Sequence, residues 1–224
     1  MSRLLNTAST ERICALLESA HGRPECDPDY GPLDELVLTI LSQHTSAVNY
    51  NKAFENLKQR FVSWEEVGQA DLREIENAIR PGGLAPTKAV RIRRLLQDIR
   101  AEYGVLSLDF LAEMADEDAR AYLMQFDGVG IKTASCVLMF SLCRPVLPVD
   151  THVHRITQRL GLIDSSVSAE EAHHLLPETL PDELVYSFHV NLVRHGRKVC
   201  KARNPLCDDC VLLELCGWGQ RMIR

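Results

Sequence analysis

Apolar residues recur at helical spacing along almost the entire chain of 224 residues. One run advances in steps of three and four, which places its members on one face of a helix: Ala47, Tyr50, Phe54, Leu57 and Phe61. No run that alternates between apolar and polar residues is long enough to predict a β-strand. The sequence therefore predicts an all-α fold built from roughly ten short helices.

The number and distribution of apolar residues indicate how large a core the chain can form and whether any segment could cross a membrane. Hydrophobic residues make up 46% of the chain, which is enough for one large domain or two small lobes. The most apolar segment without charge, residues 133–143, is too short to cross a bilayer. The first residues lack the apolar run of a secretory signal. We therefore expect a cytoplasmic protein that makes no membrane contact.

Charge is distributed unevenly, although the net charge of −6 by itself disfavours nucleic acid as a partner. The first 120 residues carry 14 basic and 20 acidic side chains, whereas the remaining residues carry 11 of each. Two basic runs contain no acidic residue: Lys88, Arg91, Arg93 and Arg94, and then Arg194, Arg197, Lys198, Lys201 and Arg203. Either run alone fits a solvated helix face. The second is also a candidate DNA-binding surface through Arg197 and Lys198.

Four of the eight cysteines crowd into one short segment, with the spacing Cys200-x6-Cys207-x2-Cys210-x5-Cys216. Four thiolates so close in sequence can surround one compact metal centre. Unequal gaps within one loop favour a cubane iron–sulfur cluster, while zinc sites more often use two separated ligand pairs. Zinc and unrelated thiols stay open as alternatives. The other four, Cys14, Cys26, Cys136 and Cys143, are predicted to be small apolar residues and not disulfides.

A glycine-containing turn separates two helical patterns near the middle of the chain. Gly128 and Gly130 flank Val129 there, and glycine permits backbone angles and close approaches that other residues disfavour. The amides at the start of the following helix then form an anion site. The segment therefore predicts a helix-hairpin-helix that binds DNA phosphates without reading sequence. A plain connection between helices is the alternative that the glycine pair alone leaves open.

Two residues next to predicted helix starts are catalytic candidates. Lys132 lies in the first turn after the hairpin, where the helix dipole disfavours positive charge. We expect this to lower the pKa of its amine and to favour its action as a nucleophile. Asp150 precedes a helix predicted to begin near Thr151, so it fits an N-cap, and a cap is compatible with a catalytic role. A surface lysine and a simple cap are the alternatives.

Together these segments resemble the endonuclease III family of helix-hairpin-helix DNA glycosylases. The resemblance runs from about Leu36 to Cys216. It depends on Leu41-Ser42-Gln43-His44-Thr45, on Gly83-Leu84 before Lys88-Ala89, on Gly128 to Ala134, on Val149-Asp150-Thr151-His152, and on the four cysteines. The step of 18 residues from Lys132 to Asp150 also matches the family. Asp127 departs from it, because the family usually has proline at that place in the hairpin.

The resemblance implies a bifunctional DNA glycosylase/AP lyase of base excision repair. Its partner would be double-stranded DNA with damaged bases, oxidised pyrimidines by default, or with abasic sites. Lys132 would attack C1′ of the sugar, displace the base and then permit strand cleavage by β-elimination. Asp150 would assist proton transfer and stabilise positive charge on the sugar.

Other residues would hold the DNA. The resemblance makes Leu84 the wedge that enters the base stack, and Gln43 or His44 the residue that fills the vacated space. The hairpin residues Gly128, Val129 and Gly130 would grip phosphate.

The resemblance further implies two helical lobes with a cleft that receives the flipped nucleotide. A helix-hairpin-helix lobe comprises residues 25–143. The second lobe, residues 1–24 and 144–224, holds a structural [4Fe-4S] cluster on Cys200, Cys207, Cys210 and Cys216. We expect a monomer, nucleoid-associated in a bacterium. The alternatives are a mismatch-type or adenine glycosylase without strong lyase activity, against which Lys132 argues, and a non-catalytic iron–sulfur DNA-binding module.

Overall fold

The computed structural model describes residues 7–223, and over this range the chain forms twelve α-helices and no β-strand. The predicted all-α class is confirmed. The count exceeds the roughly ten helices expected, because very short helices such as α4 (Trp64–Gln69) carry too few residues for a periodic pattern. No helix in the described range is long and apolar enough to span a membrane.

Residues 28–142 form one compact unit with seven of the helices. These are α2 (Pro32–Ser42), α3 (Ala47–Arg60), α4, α5 (Leu72–Ile79), α6 (Ala85–Tyr103), α7 (Asp116–Met124) and α8 (Ile131–Leu142). Helix α8 is buried along most of its length and packs against α2 and α7. The residues at the start of α8, Lys132 among them, therefore sit on a firmly held element.

Local sequence explains where several of these helices begin and end. The Ser63 hydroxyl accepts a hydrogen bond from the amide of Glu66 at the start of α4, and the Asp71 carboxylate caps α5 in the same way. Helix α6 ends at Gly104, whose φ of 74° is the left-handed conformation common after a helix. Such caps satisfy backbone groups that a helix cannot pair internally.

The second unit is formed by the described residues up to Asp27 and from Cys143 onward. Its helices are α1 (Thr7–His21), α9 (Thr151–Leu160), α10 (Ala169–Leu175), α11 (Asp182–Lys198) and α12 (Gly217–Met222). Helix α11 packs against both α1 and α9. Helix α9 approaches α11 closely at Gly196. Glycine is required at this position of α11, because a Cβ there would lie 2.5 Å from Nδ1 of His152 on α9.

Cys26 and Cys143 form a disulfide in this second unit, with their Cα atoms 5.8 Å apart. The prediction that both are free apolar residues is therefore wrong, whereas Cys14 and Cys136 are buried free thiols as predicted. The pair is separated by 117 residues in sequence. Residues 28–142 are an insertion within the second unit, so the two cysteines lie at the two ends of that insertion. Only the folded chain brings these ends together.

Candidate active site and metal centre

The hairpin between α7 and α8 is a short turn held by its own backbone. The amide of Val129 donates to the carbonyl of Phe126 at 3.0 Å, and Gly128 has a φ of 79°. The Val129 side chain is buried, so this residue can reach a ligand only through its backbone. Helix α8 follows at once, and its first amides point out of the turn as a helix N-terminus requires. This geometry suits an anion such as a backbone phosphate.

Arg91 of α6 neutralises the acid in the hairpin. Its Nε lies 3.3 Å from Oδ2 of Asp127. The same side chain lies against Gly128, where an added Cβ would come within 2.8 Å of it. The negative charge of Asp127, which stands where the family usually has proline, is therefore paired within the protein. The positive φ of Gly128 favours glycine, and a Cβ at this position would also have to displace the Arg91 side chain.

Lys132 lies in the first turn of α8 and is half-buried. Glu35 of α2 is an acidic neighbour that the sequence did not single out. Burial raises the pKa of Glu35 to about 7, while a hydrogen bond of 3.0 Å from the Thr39 hydroxyl and the positive charge of Lys132 oppose the rise. The carboxyl group of Glu35, with a pKa near neutral pH, therefore lies close enough to Lys132 for the two charges to interact.

Gln43, His44 and Leu84 lie on two loops of the same unit. The Gln43 amide nitrogen donates to the carbonyl of Gly128 at 3.0 Å, so this side chain is directed at the hairpin. His44 and Leu84 are exposed, and both have left-handed backbone conformations, with φ of 55° and 49°. The Leu84 side chain is 56% exposed, which is unusual for a large apolar residue.

Asp150 belongs to the second unit and is the N-cap of α9. Its Oδ1 accepts hydrogen bonds from the amides of His152 and Val153, both at 2.8 Å. Oδ2 takes part in neither bond. The segment before it is fixed at Val149, whose amide donates to Nε2 of His173 at 2.9 Å. The capping role of Asp150 is therefore real, and it leaves one carboxylate oxygen for a second role.

The four clustered cysteines line one cavity in the second unit, together with apolar residues such as Leu213 and Trp218. Among residues 7–223, no three His, Cys, Asp or Glu side chains converge closely enough to hold a single metal ion. A cubane cluster instead keeps its thiolates apart, because each thiolate binds a different iron. Four thiols around one cavity are compatible with such a cluster.

Hydrogen-bond donors surround these sulfur atoms. Nη1 of Arg159 donates to Sγ of Cys200 at 3.2 Å, and the amide of Gly219 donates to Sγ of Cys216 at 3.2 Å. The Arg159 guanidinium also lies 4.0 Å from the ring centroid of Trp218. Such contacts stabilise thiolates and orient metal ligands. Sequence reasoning missed Arg159, which lies on α9, 41 residues from Cys200.

His195 of α11 is a further buried contact of the cysteine loop. Its Nε2 lies 3.4 Å from Sγ of Cys210, and its Nδ1 lies 3.1 Å from Nε2 of His21. Burial lowers the pKa of His195 to about 4, so the ring is neutral at pH 7 and carries one N–H. With a cluster bound, the Cys210 thiolate would only accept, and the N–H of the ring would then lie on Nε2.

The basic run that ends at the cysteine loop is exposed throughout: Arg194, Arg197, Lys198, Lys201 and Arg203. It covers the last turns of α11 and the start of the loop. The other run behaves differently, because Lys88 is only 2% exposed. The expectation of a solvated helix face is therefore wrong for Lys88.

Replacement of Cys207 by alanine is expected to abolish cluster binding. The intact protein should contain about four irons per chain and absorb broadly in the visible range, and the variant should be colourless and less stable. Iron analysis and the visible spectrum measure this directly. Cys14→Ala is the matched control, since Cys14 is a buried free thiol outside the loop, and it should keep the iron. Stoichiometric zinc in colourless, active protein contradicts the prediction.

Two family models match the chain. Residues 37–182 match the model described as HhH-GPD superfamily base excision DNA repair protein. Residues 200–216 match the iron-sulfur binding domain of endonuclease III. The first match contains the hairpin, Lys132 and Asp150, and the second spans the four cysteines. The second match confirms the predicted iron–sulfur cofactor.

Individual relatives agree with these models. The chain is 41% identical over 191 residues to a putative DNA glycosylase of Arabidopsis thaliana, which covers 81% of this chain and 65% of the relative. It is 33% identical over 198 residues to endonuclease III of Thermotoga maritima, with 88% of each chain covered.

Two solved structures of endonuclease III are similar over the full fold, one a non-covalent complex with DNA and the other a trapped covalent intermediate with DNA. They match 98% of this chain at 28% and 27% identity and cover 99% and 100% of those chains, each with a TM-score of 0.83. With the fold, the cysteine loop and close relatives all in agreement, the chain belongs to the HhH-GPD superfamily of base excision DNA repair proteins and, within it, to the endonuclease III family.

Proposed function

We propose that the chain is a bifunctional DNA glycosylase/AP lyase that uses Lys132 as its nucleophile. The observation that carries this proposal is the position of Lys132. It lies in the first turn of α8, directly after the hairpin, at a helix N-terminus that suits a backbone phosphate. A phosphate held at the hairpin brings the sugar of a nearby nucleotide within reach of an amine on a rigid helix.

The proposed reaction proceeds in two stages. The neutral amine of Lys132 forms a bond to C1′ of the sugar as the bond between C1′ and the damaged base breaks, and the base leaves with a proton. The bond between C1′ and the ring oxygen O4′ then breaks, O4′ takes up a proton, and the nitrogen electron pair forms the iminium (Schiff base), which makes a C2′ proton acidic. Loss of that proton breaks the bond to the 3′ phosphate by β-elimination, and water then releases the enzyme from the sugar. Glu35, which titrates near neutral pH, lies near the amine that must lose its proton first.

Asp150 is proposed to stabilise the positive charge that grows on the sugar as the base leaves. One carboxylate oxygen, Oδ1, caps α9 and so holds the side chain in place. The other oxygen is then available to face the sugar or to transfer a proton. Capping and catalysis thus use different atoms of one side chain.

The remaining DNA contacts have separate proposed roles. Leu84 is the wedge that enters the stack, because an exposed leucine on a strained loop gains burial there. His44 fills the vacated space, since Gln43 is directed at Gly128. Arg197 and Lys198 bind phosphates without sequence preference. The four cysteines hold the cluster, which has a structural role: it orders the loop that follows Arg197 and Lys198.

Duplex DNA with oxidised pyrimidines or abasic sites is the proposed substrate, and the chain is proposed to act as a monomer with the chromosomal DNA of the cell. A panel of duplexes tests this, each with one lesion: an oxidised pyrimidine, 8-oxoguanine, a G·T mismatch or an abasic site. Under single-turnover conditions, we expect the fastest excision at the oxidised pyrimidine and strand cleavage without added alkali. Excision that requires alkali for strand cleavage contradicts the lyase proposal and favours a monofunctional glycosylase.

A further inference from the structure

Lys88 is a buried cation that binds only backbone carbonyls. Its Nζ donates to the carbonyl of Leu41 at 2.7 Å, of Gln43 at 2.7 Å and of Gly82 at 2.9 Å. An ammonium group has three N–H donors, so these bonds use all of them. Burial lowers the pKa of Lys88, and the three charge-assisted bonds compensate for the loss of water around the ion. A group so enclosed cannot reach a DNA phosphate.

The three carbonyls belong to two separate segments of chain. Leu41 and Gln43 lie at the end of α2, immediately before His44. Gly82 ends a short 3-10 helix, immediately before Gly83 and Leu84. His44 and Leu84 both have positive φ, a conformation that non-glycine residues keep only when surrounding contacts hold it. Lys88 supplies such contacts to both segments at once.

We infer that Lys88 is a positioning residue for nucleotide flipping, which holds the His44 segment and the Leu84 segment at a fixed separation so that both side chains enter the duplex together. This inference rests on the proposed function, because that proposal assigns the wedge to Leu84 and the filling residue to His44. Preorganisation of the two loops removes the cost of ordering them when DNA binds. Lys88 therefore acts through Leu84 and His44, without contact to the reacting atoms.

The alternative is a lysine that only stabilises the fold. A purely structural residue changes the fraction of folded protein and leaves each folded molecule fully active. A positioning residue changes the insertion step in molecules that are folded. The test must therefore measure insertion per folded molecule, and it must ask whether the effect depends on Leu84.

Lys88→Met is the first variant, since methionine has a similar length and no N–H donor. The readout is the fluorescence of 2-aminopurine placed beside a tetrahydrofuran abasic analogue in a duplex, which rises when the base is unstacked. We expect the rise, and single-turnover excision of an oxidised pyrimidine, to fall between about 10- and 100-fold. Borohydride trapping on single-stranded abasic DNA, which needs no insertion, should stay unchanged. Circular dichroism and the visible cluster band confirm folding.

The matched control is Ile92→Ala, one turn further along α6. Ile92 is fully buried, so its truncation also costs stability, but its side chain has no hydrogen-bonding group that could hold the carbonyls of either segment. Its fluorescence rise per folded molecule should equal that of the unchanged protein. Lys88→Gln, which keeps an N–H group able to donate to part of this carbonyl set, should give an intermediate loss and serves as the test variant if Lys88→Met does not fold.

A double-mutant cycle with Leu84→Ala decides whether Lys88 acts through the wedge. If it does, Lys88→Met should cost little more in the Leu84→Ala background, since the wedge is already lost. The inference is overturned, and the proposed function is not, if the fold-changes of the two single variants multiply in the double variant. The same holds if Lys88→Met and Lys88→Gln keep the fluorescence signal that Leu84→Ala loses. An unchanged signal in Leu84→Ala removes the wedge assignment in the proposed function, and the inference with it.

Discussion

Lys132→Gln is expected to lose both strand cleavage and covalent trapping on DNA. Borohydride added during turnover reduces the Schiff base between an amine and C1′, so the unchanged protein should form a stable protein–DNA adduct. Glutamine is similar in length but has no nucleophilic amine, and loss of a covalent nucleophile can remove several orders of magnitude of rate. Gel analysis of the adduct and of the cleaved strand measures both effects.

The same variant should still bind DNA, because the hairpin amides do not involve the side chain at position 132. Binding to an abasic-analogue duplex, measured by fluorescence anisotropy, is therefore expected to stay within a few-fold of the unchanged protein. Lys52→Gln is the control, since Lys52 is an exposed lysine in the same unit, and it should trap normally. Undiminished trapping in Lys132→Gln removes Lys132 from the role of nucleophile.

Asp150→Asn is expected to slow base excision by roughly 10²-fold or more, the usual scale for a lost electrostatic or acid–base group. Asparagine keeps an oxygen that can accept the amides of His152 and Val153, so α9 should stay capped and the melting temperature should change little. Only the negative charge is lost. Trapping at an abasic site should suffer less, because the base has already left there. Single-turnover excision and thermal melting separate the two effects.

Two further variants distinguish the cap from the charge. Asp150→Ala should lose about 1 kcal/mol of stability from the missing cap, in addition to its loss of rate. Asp71→Asn changes a comparable N-cap, that of α5, and should leave excision unchanged. If Asp150→Asn excises at the full rate, Asp150 is a cap and no more.

Features set by neighbours in sequence could be predicted. The helices follow from apolar residues three and four apart, because these lie on one face of a helix. The cap at Asp150 follows from the amides that lie two and three residues later. The cysteine loop also closes on itself, since its four thiols lie within a short segment. In each case the interacting groups are close in the chain, so their spacing carries the information.

Contacts between distant segments could not be predicted in this way. Arg91 and Asp127 are 36 residues apart, and neither position signals the pair. Arg159 reaches Cys200 from another helix for the same reason. The disulfide between Cys26 and Cys143 likewise depends on how the inserted unit begins and ends. The proposed roles of Lys132 and Asp150 rest mainly on resemblance, because a lysine after a turn or an aspartate before a helix is common.

Lys88 illustrates the division between sequence and tertiary structure. By sequence it is one of several basic residues on a helix, and water is the least costly surrounding for a charge. Its burial is decided by three backbone carbonyls, two from residues at the end of α2 and one from Gly82, six residues before it. The sequence determined that the chain is helical, that Asp150 caps a helix and that the four clustered cysteines share one loop. The packing of distant segments decided which charges are buried and which loops are joined. The reason is that the free-energy cost of burying a polar group depends on its hydrogen-bond partners, and only the folded chain provides them.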